Sequence, residues 1–433
     1  MQRRNRSSPI QRIYDSELNT HGSRTTMLNR RLLAQILTAF LTLTLVFVFH
    51  QTKPFRAKVT ANRLGNRLAV VSISNQDSLN QKFQQILDNQ VAQGVPGVTM
   101  YITTGDGWTW SGASGFSNLQ EHTPMKASDR FRIMSATKTF VATVVLQLAQ
   151  EGKLGDKGLD NTIGKLLPEA IANRIPNHDQ ITVRHLLNHR SGLFNYTDNE
   201  RYEKETFSEG TLDNVIDWAF GQGSKPPSFA PGKRFDYCDT NAIVAELIVQ
   251  HLTGHPLAAE IRDRILTPLG LKNTYMERVE AGAVVSSGFV HGYVEETHKH
   301  EQSLVGLLTK YFTPSSPVIK DVTDSGDVVG TGDGGLISNA EDLALFAKEL
   351  LGKRTLLNAK VFNQMVHFND HVGLGVFEED VSFGRIWGHS GSWHGYTAQM
   401  YFLPDQNVAA AALGNGTNAN PGRRLQEALS FLF

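Results

Sequence analysis

The sequence predicts an α/β protein: an antiparallel sheet built from both chain ends and flanked by helices, with an all-α insertion between the two halves. Three observations lead there. Residues 98–102 and 108–110 read as two strands around a turn at Gly105-Asp-Gly107. Residues 398–402 and 408–413 read as a second pair, joined at Pro404-Asp405. Between the pairs lies a long stretch dominated by helical periodicity and loops.

The elements follow in order. Leu79, Phe83, Ile86, Leu87 and Val91 recur at helical spacing, so a helix runs to about residue 93, where Gly94 and Pro96 stop it. The first strand pair comes next, then a strongly apolar helix starting near Ser135 and another from Ala242. A closing helix is expected over residues 423–433. No internal repeat or low-complexity tract interrupts this plan.

Composition narrows the classes. The chain has 433 residues, with 42 Lys+Arg against 42 Asp+Glu, so it lacks the positive footprint of a nucleic-acid binder. Its single cysteine excludes an intrachain disulfide and a Cys-based zinc or iron–sulfur centre. His298-Lys-His300 beside Glu295 and Glu296 reads as a solvated loop rather than a metal pair, because further ligands are absent from the pattern.

Residues 32–49 carry no charge and give about 27 Å of helix, near the thickness of a bilayer core. Arg30-Arg31 abuts the run and favours an inside amino end; Lys53, Arg56, Lys58, Arg63 and Arg67 follow it and weaken the bias. The expected division is a cytoplasmic tail or overlong start (1–31), a transmembrane anchor or signal segment (32–49), a polar linker (50–77) and a folded domain (79–433). Starting at Met27 instead, the protein would carry an ordinary export signal. In each case the body is exported: cell membrane with an extracytoplasmic domain, or secreted if the segment is cleaved.

Three motifs carry chemistry. Ser135-Ala-Thr-Lys138 opens the most apolar helix, and its i, i+3 spacing sets hydroxyl and ammonium on one face. A serine hydroxyl needs a neighbouring base or field to react, and a buried lysine supplies either. Tyr237-Cys-Asp239 stands on a turn before the helix from Ala242. Tyr237 reads as a proton shuttle, or as a core tyrosine with Asp239 as N-cap. Cys238 reads as a small filler. Gly388-His-Ser-Gly-Ser-Trp-His-Gly395 precedes the last strand pair, and its glycines permit close approach of a ligand to backbone.

Taken together, Ser-x-x-Lys, Tyr-x-Asp and His-Ser-Gly in this order resemble the serine β-lactamase and penicillin-binding protein superfamily. The likeness is to its D-alanyl-D-alanine carboxypeptidase and class C β-lactamase branch, and it covers about residues 79–433. Supporting stretches are residues 186–193, the Pro231-Gly232 turn, and Asp333-Gly-Gly-Leu-Ile-Ser338 with Asp342-Leu343. The resemblance implies a β-lactamase/transpeptidase-like fold and an acyl-enzyme on Ser135. Lys138 would adjust proton affinity, and Tyr237 would act as base and then acid. The backbone N–H groups of Ser135 and Ser392 would form an oxyanion hole. His389 would offer a donor, or a positive charge, to a substrate carboxylate. Asp239, Ser390, Gly391 and Trp393 would contact substrate. Phe194, Tyr196, Trp393 and Tyr396 read either as pocket lining or as packing beside it. Two residues depart from the pattern: Asp239 replaces the more usual Asn, and Ser390 replaces Thr.

The expected function is hydrolysis of a D-alanyl-D-alanine peptide, with a small peptide or β-lactam as substrate. Alternatives are a β-lactamase or esterase on the same residues, a penicillin-binding envelope sensor without turnover, and a tethered scaffold. The resemblance implies no metal or cofactor. The sequence assigns no oligomeric state.

Overall fold

The computed structural model describes residues 73–202, 204, 211–277, 279, 290–296, 318–324 and 330–433. The expected tail, residues 32–49, the linker up to residue 72 and the His298/His300 pair lie outside them. Among the described residues no helix is long and apolar enough to cross a membrane, and no cluster has the make-up of a metal site.

Strands from the two ends of the described domain form one seven-stranded antiparallel sheet. Helix α1 (Ile73–Ala92) leads into β1 (Gly97–Thr103) and β2 (Thr109–Asn118), with a short β3 (Thr123–Pro124) at the edge. The carboxy-terminal strands complete it: β9 (Phe377–Val381), β10 (Gly384–Trp393), β11 (Tyr396–Leu403) and β12 (Val408–Gly414). The order is β3-β2-β1-β12-β11-β10-β9, so β1 and β12 join the two ends at the centre. Val98 pairs with Gly414 and Thr103 with Ala409.

Side-chain alternation explains why the centre holds. Ala410 and Ala412 of β12 face one core with Val98, Met100 and Ile102; Ala409, Ala411 and Leu413 face the other. Both faces are buried, so β12 reads as an unbroken apolar run of small residues. On the first face lie Phe83, Ile86 and Leu87 of α1 with Leu425 and Leu429 of the closing helix Pro421–Leu429.

The second face carries the insertion. The helix Thr137–Gln150 (α2) is buried at every residue from Thr137 to Leu148 and packs on Thr240–Thr253 (α3) and Ala340–Ala347 (α4), with the Phe140 and Phe346 rings stacked at 3.7 Å. Two small sheets, unforeseen in the sequence pattern, complete the fold. β4 (Phe131–Arg132) and β5 (Tyr275–Met276) flank β8 (Leu336–Ser338), while β6 (Tyr293–Glu296) pairs with β7 (Val318–Asp321).

Residues 388–393, expected as a glycine-rich segment ahead of a strand pair, are themselves part of β10. The Gly-His-Ser-Gly-Ser run carries little strand propensity; pairing along β11 from Trp387–Phe402 to Trp393–Tyr396 overrides it. The closing helix ends at Leu429 rather than 433.

Candidate active site

Ser135 sits on a tight turn, Met134–Ala136, between β4 and α2. The turn is pinned from behind: Ile133 N–H donates to Leu336 O at 3.0 Å and Leu336 N–H donates to Thr137 Oγ1 at 3.2 Å. Met134 takes a φ of 50°, a region most side chains avoid and one often found at functional turns. The helix therefore starts two residues later than expected. Spacing still delivers the pair, since Lys138 Nζ donates to Ser135 Oγ at 2.9 Å.

The ammonium of Lys138 is buried and ringed by acceptors. It donates to the Asp333 carbonyl at 2.6 Å and pairs with Asp239 Oδ1 at 2.7 Å. It also lies 5.2 Å from the centroid of the Tyr237 ring, a cation–π geometry. Asp239 occupies the residue before α3, yet its side chain makes no cap. It turns instead to Lys138 and to Asn195, whose Nδ2 donates to Oδ2 at 3.2 Å. Burial pushes the Asp239 carboxyl up, but Lys138 more than reverses this and leaves it below the usual range.

Tyr237 is half-buried, and its ring stacks on His189 at 4.3 Å. The Cys238 N–H donates to His189 Nδ1 at 3.2 Å, which makes that nitrogen an acceptor. Burial lowers His189 to about 3, so it supports Tyr237 as a neutral ring. The Cys238 thiol is buried in the core, and burial raises it to about 12, the behaviour of a filler.

The strand side is β10. Gly391 lies so close to the Ser135 turn that a Cβ there would stand 2.1 Å from Ile133 O and 3.0 Å from Ser135 N. Only glycine lets the strand approach this far. Ser392 follows, opposite Thr397. Hydrogen-bonded and open pairs alternate along an antiparallel ladder, and a two-residue hairpin closes on a bonded pair, here Trp393–Tyr396. Ser392 is thus an open position whose N–H points away from β11, and β9 pairs no further along β10 than Gly388.

His389 is fully buried, with Nδ1 2.6 Å from the Ser390 carbonyl. A carbonyl only accepts, so Nδ1 carries the proton and donates to it. Burial, with Lys138 nearby, depresses His389 to about 3. Burial thus opposes the positive charge expected toward a substrate carboxylate, and the Ser390 carbonyl holds the Nδ1 proton, while Nε2 meets no partner among the described residues. Ser390 is buried and Trp393 half-exposed.

Among the expected aromatics, Phe194 stays half-exposed, but two belong to packing. Tyr196 is buried and donates to Asp333 Oδ2 at 2.5 Å; Tyr396 is buried and donates to Val290 O at 3.0 Å. Sequence reasoning assigned no role to His189, Asn195, Asp333 or Glu246. His189 and Asp333 lay in stretches singled out only for their likeness. Asn195 and Glu246 carried no signal, because a polar residue beside a periodic run looks solvated until the fold buries it. Glu246, inside α3, accepts from Gly332 N–H at 2.8 Å and from Gln250 at 3.0 Å, and burial lifts its carboxyl to about 8.

Comparisons with known proteins agree with this geometry. The β-lactamase family model matches residues 79–432. Penicillin-binding protein 4* of Bacillus subtilis is 25% identical over 312 residues, 70% of this chain, and the match spans 64% of that relative's length. A putative D-alanyl-D-alanine carboxypeptidase of Salmonella enteritidis is 22% identical, over 75% of this chain and 76% of its own. The crystal structure of D-amino acid amidase from Ochrobactrum anthropi SV3 with L-phenylalanine amide superposes with a TM-score of 0.66 at 26% identity, covering 82% of this chain and 98% of that one. A sheet that joins early and late strands, a serine–lysine pair at the foot of a buried helix and a strand wall beside it thus converge with the family match: the chain belongs to the β-lactamase family.

Proposed function

We propose that the protein hydrolyses the bond that follows a D-aminoacyl group, through an acyl-enzyme on Ser135. The observation that carries this is the 2.9 Å contact from Lys138 Nζ to Ser135 Oγ, with the Tyr237 ring against the same ammonium. In the proposed sequence Ser135 Oγ attacks the carbonyl carbon and its proton passes to Tyr237. The N–H groups of Ser135 and Ser392 hold the oxyanion. Tyr237 then protonates the leaving nitrogen, and water attacks the acyl carbon to free Ser135.

Two readings of the substrate compete. A D-aminoacyl amide or ester fits a strand wall in which His389 is neutral. A D-alanyl-D-alanine peptide, with its terminal carboxylate, fits the name of the Salmonella relative but asks of His389 a charge that its burial opposes. We favour the first. Residues 32–49 support placing the domain outside the cell on a membrane anchor or after export, which alkaline extraction of membranes and surface proteolysis would test.

In the deciding experiment the full-length protein is given phenylalanine amide in its D and L forms, an acetylated D-alanyl-D-alanine peptide, 4-nitrophenyl butyrate and benzylpenicillin. Intact mass and product release are followed. Release of D-phenylalanine, with a transient adduct on the Ser135 peptide, is expected. Release of D-alanine alone would replace the favoured reading with the carboxypeptidase one. A lasting penicillin adduct without any turnover would make the protein a sensor. No adduct with any acyl donor would overturn acyl transfer itself.

A further inference from the structure

The lysine of the nucleophile pair has a dedicated anionic partner. Lys138 is buried, with Asp239 at 2.7 Å, the Asp333 carbonyl at 2.6 Å and the Ser135 hydroxyl at 2.9 Å. The titratable neighbours come from every element around it. They are Tyr237 and Cys238 on the turn before α3, His189, Tyr196 and Asp198 on the opposite loop, His389 on β10, and Asp333 with Glu246 behind it. The two histidines are buried neutral, and burial raises Asp333, Asp198 and Glu246 toward their neutral forms. Asp239 is the carboxylate of this set in direct contact with the ammonium, and it is held on its other oxygen by Asn195. Asn195 also takes the Asp239 N–H on its own Oδ1 at 2.8 Å, so the carboxylate is aimed from two sides.

We infer that Asp239 is a positioning residue that locks Lys138 as a cation, so that the lysine steadies negative charge on Ser135 and Tyr237 and does not itself take the proton of Ser135. This deepens the proposed acyl-transfer reading and rests on it for its kinetic part. Each carboxylate oxygen is engaged within the protein, so the side chain acts through Lys138 rather than on substrate. An amide at this position would remove that ion pair from a buried ammonium, and desolvation would then weigh further toward its neutral form.

The test uses the full-length protein labelled with ε-13C,15N-lysine, the Lys138 signal being assigned with Lys138→Arg. Its deprotonation is followed by NMR, beside the pH dependence of kcat/KM for D-phenylalanine 4-nitroanilide. In Asp239→Asn the deprotonation midpoint should fall by about one to three pH units, a tenfold to thousandfold change in ionisation constant. The alkaline limb of kcat/KM should fall with it, while the acid limb stays. Asp239→Glu, which keeps the charge, should retain a high midpoint with a lower rate, and it stands in if the Asn variant does not fold. A midpoint unmoved in folded Asp239→Asn overturns the inference. So does a midpoint that falls while the acid limb moves down and the rate near neutrality rises, the signature of lysine as base. A wild-type protein inert toward the anilide and every other acyl donor would sink the acyl-transfer reading, and the NMR midpoint would still decide the charge lock.

Discussion

The two walls of the active site are built from opposite materials. The helical wall, from the foot of α2 and the turn before α3, concentrates ionisable groups: Lys138, Asp239, Tyr237 and, behind them, Asp333 and Glu246. The strand wall, β10, offers a neutral histidine, hydroxyls, a glycine and backbone N–H groups. One wall carries titratable side chains and the other fixed dipoles. The division has a physical cause. Ionisable side chains must be buried to perturb one another strongly, which the helical insertion provides, whereas an oxyanion is best met by fixed dipoles that need no reorganisation.

The largest effect expected on that division comes from the nucleophile. Ser135→Ala should lower turnover by on the order of 10⁴-fold or more and abolish the covalent adduct in intact mass, while Cys238→Ala leaves labelling within about twofold. An adduct that survived the first change would transfer the chemistry elsewhere.

Gly391→Ala attacks the strand wall through geometry alone. A methyl 2.1 Å from Ile133 O forces β10 off the nucleophile turn. A displacement near 1 Å costs about 10²-fold in kcat/KM, with kcat carrying most of the loss. A variant with unaltered kinetics would show that the strand's distance from Ser135 is unimportant.

Glu246→Gln probes the back of the helical wall by stability. The folded-state pKa of Glu246 is raised to about 8 from 4.5, so unfolding releases a proton over that interval. Native stability from this group is therefore fully present below pH 4.5 and is lost as pH rises toward 8. Glutamine retains an acceptor for Gly332 N–H without that loss. The variant should be more stable at pH 8 by on the order of 2 kcal/mol, and should flatten the decline of the denaturation midpoint between pH 5 and 8. Equal slopes in the two proteins would place the charge elsewhere.

The smallest effect sharpens the contrast. A histidine whose pKa is depressed to about 3 does not titrate at working pH. His389→Gln should therefore change rates through fit, by about tenfold or less, and shift no limb of the pH–rate profile between 5.5 and 8. Loss of a limb near pH 6.5 in the variant would show that the strand wall carries charge after all.

Much of the frame was legible because its signals are local. The strand pairs at 98–110 and 398–413, and the buried helix after Ser135, announce themselves by apolar periodicity and turn residues. The serine–lysine pair was legible for the same reason, since i, i+3 spacing on a helix start is a property of neighbours in the chain. Identification of β10 as a strand was not, because its Gly- and Ser-rich run owes its conformation to pairing with β11. The two small sheets depend in part on partners far apart along the chain, as Phe131 with Ser338, and two- or three-residue strands leave no pattern.

The sequence by itself thus determined the fold class, the division into a sheet from both ends with helices between, and the pairing of Ser135 with Lys138. Tertiary structure alone decided their charge states. Asp239 could be an N-cap, a substrate ligand or a counter-ion from its place before α3; the approach of Lys138 from a distant helix makes it the last. His389 could be a cation or a neutral ring; complete burial beside that same lysine favours the neutral ring. Ionisation is set by desolvation and by neighbours in space, and neither quantity is written along the chain.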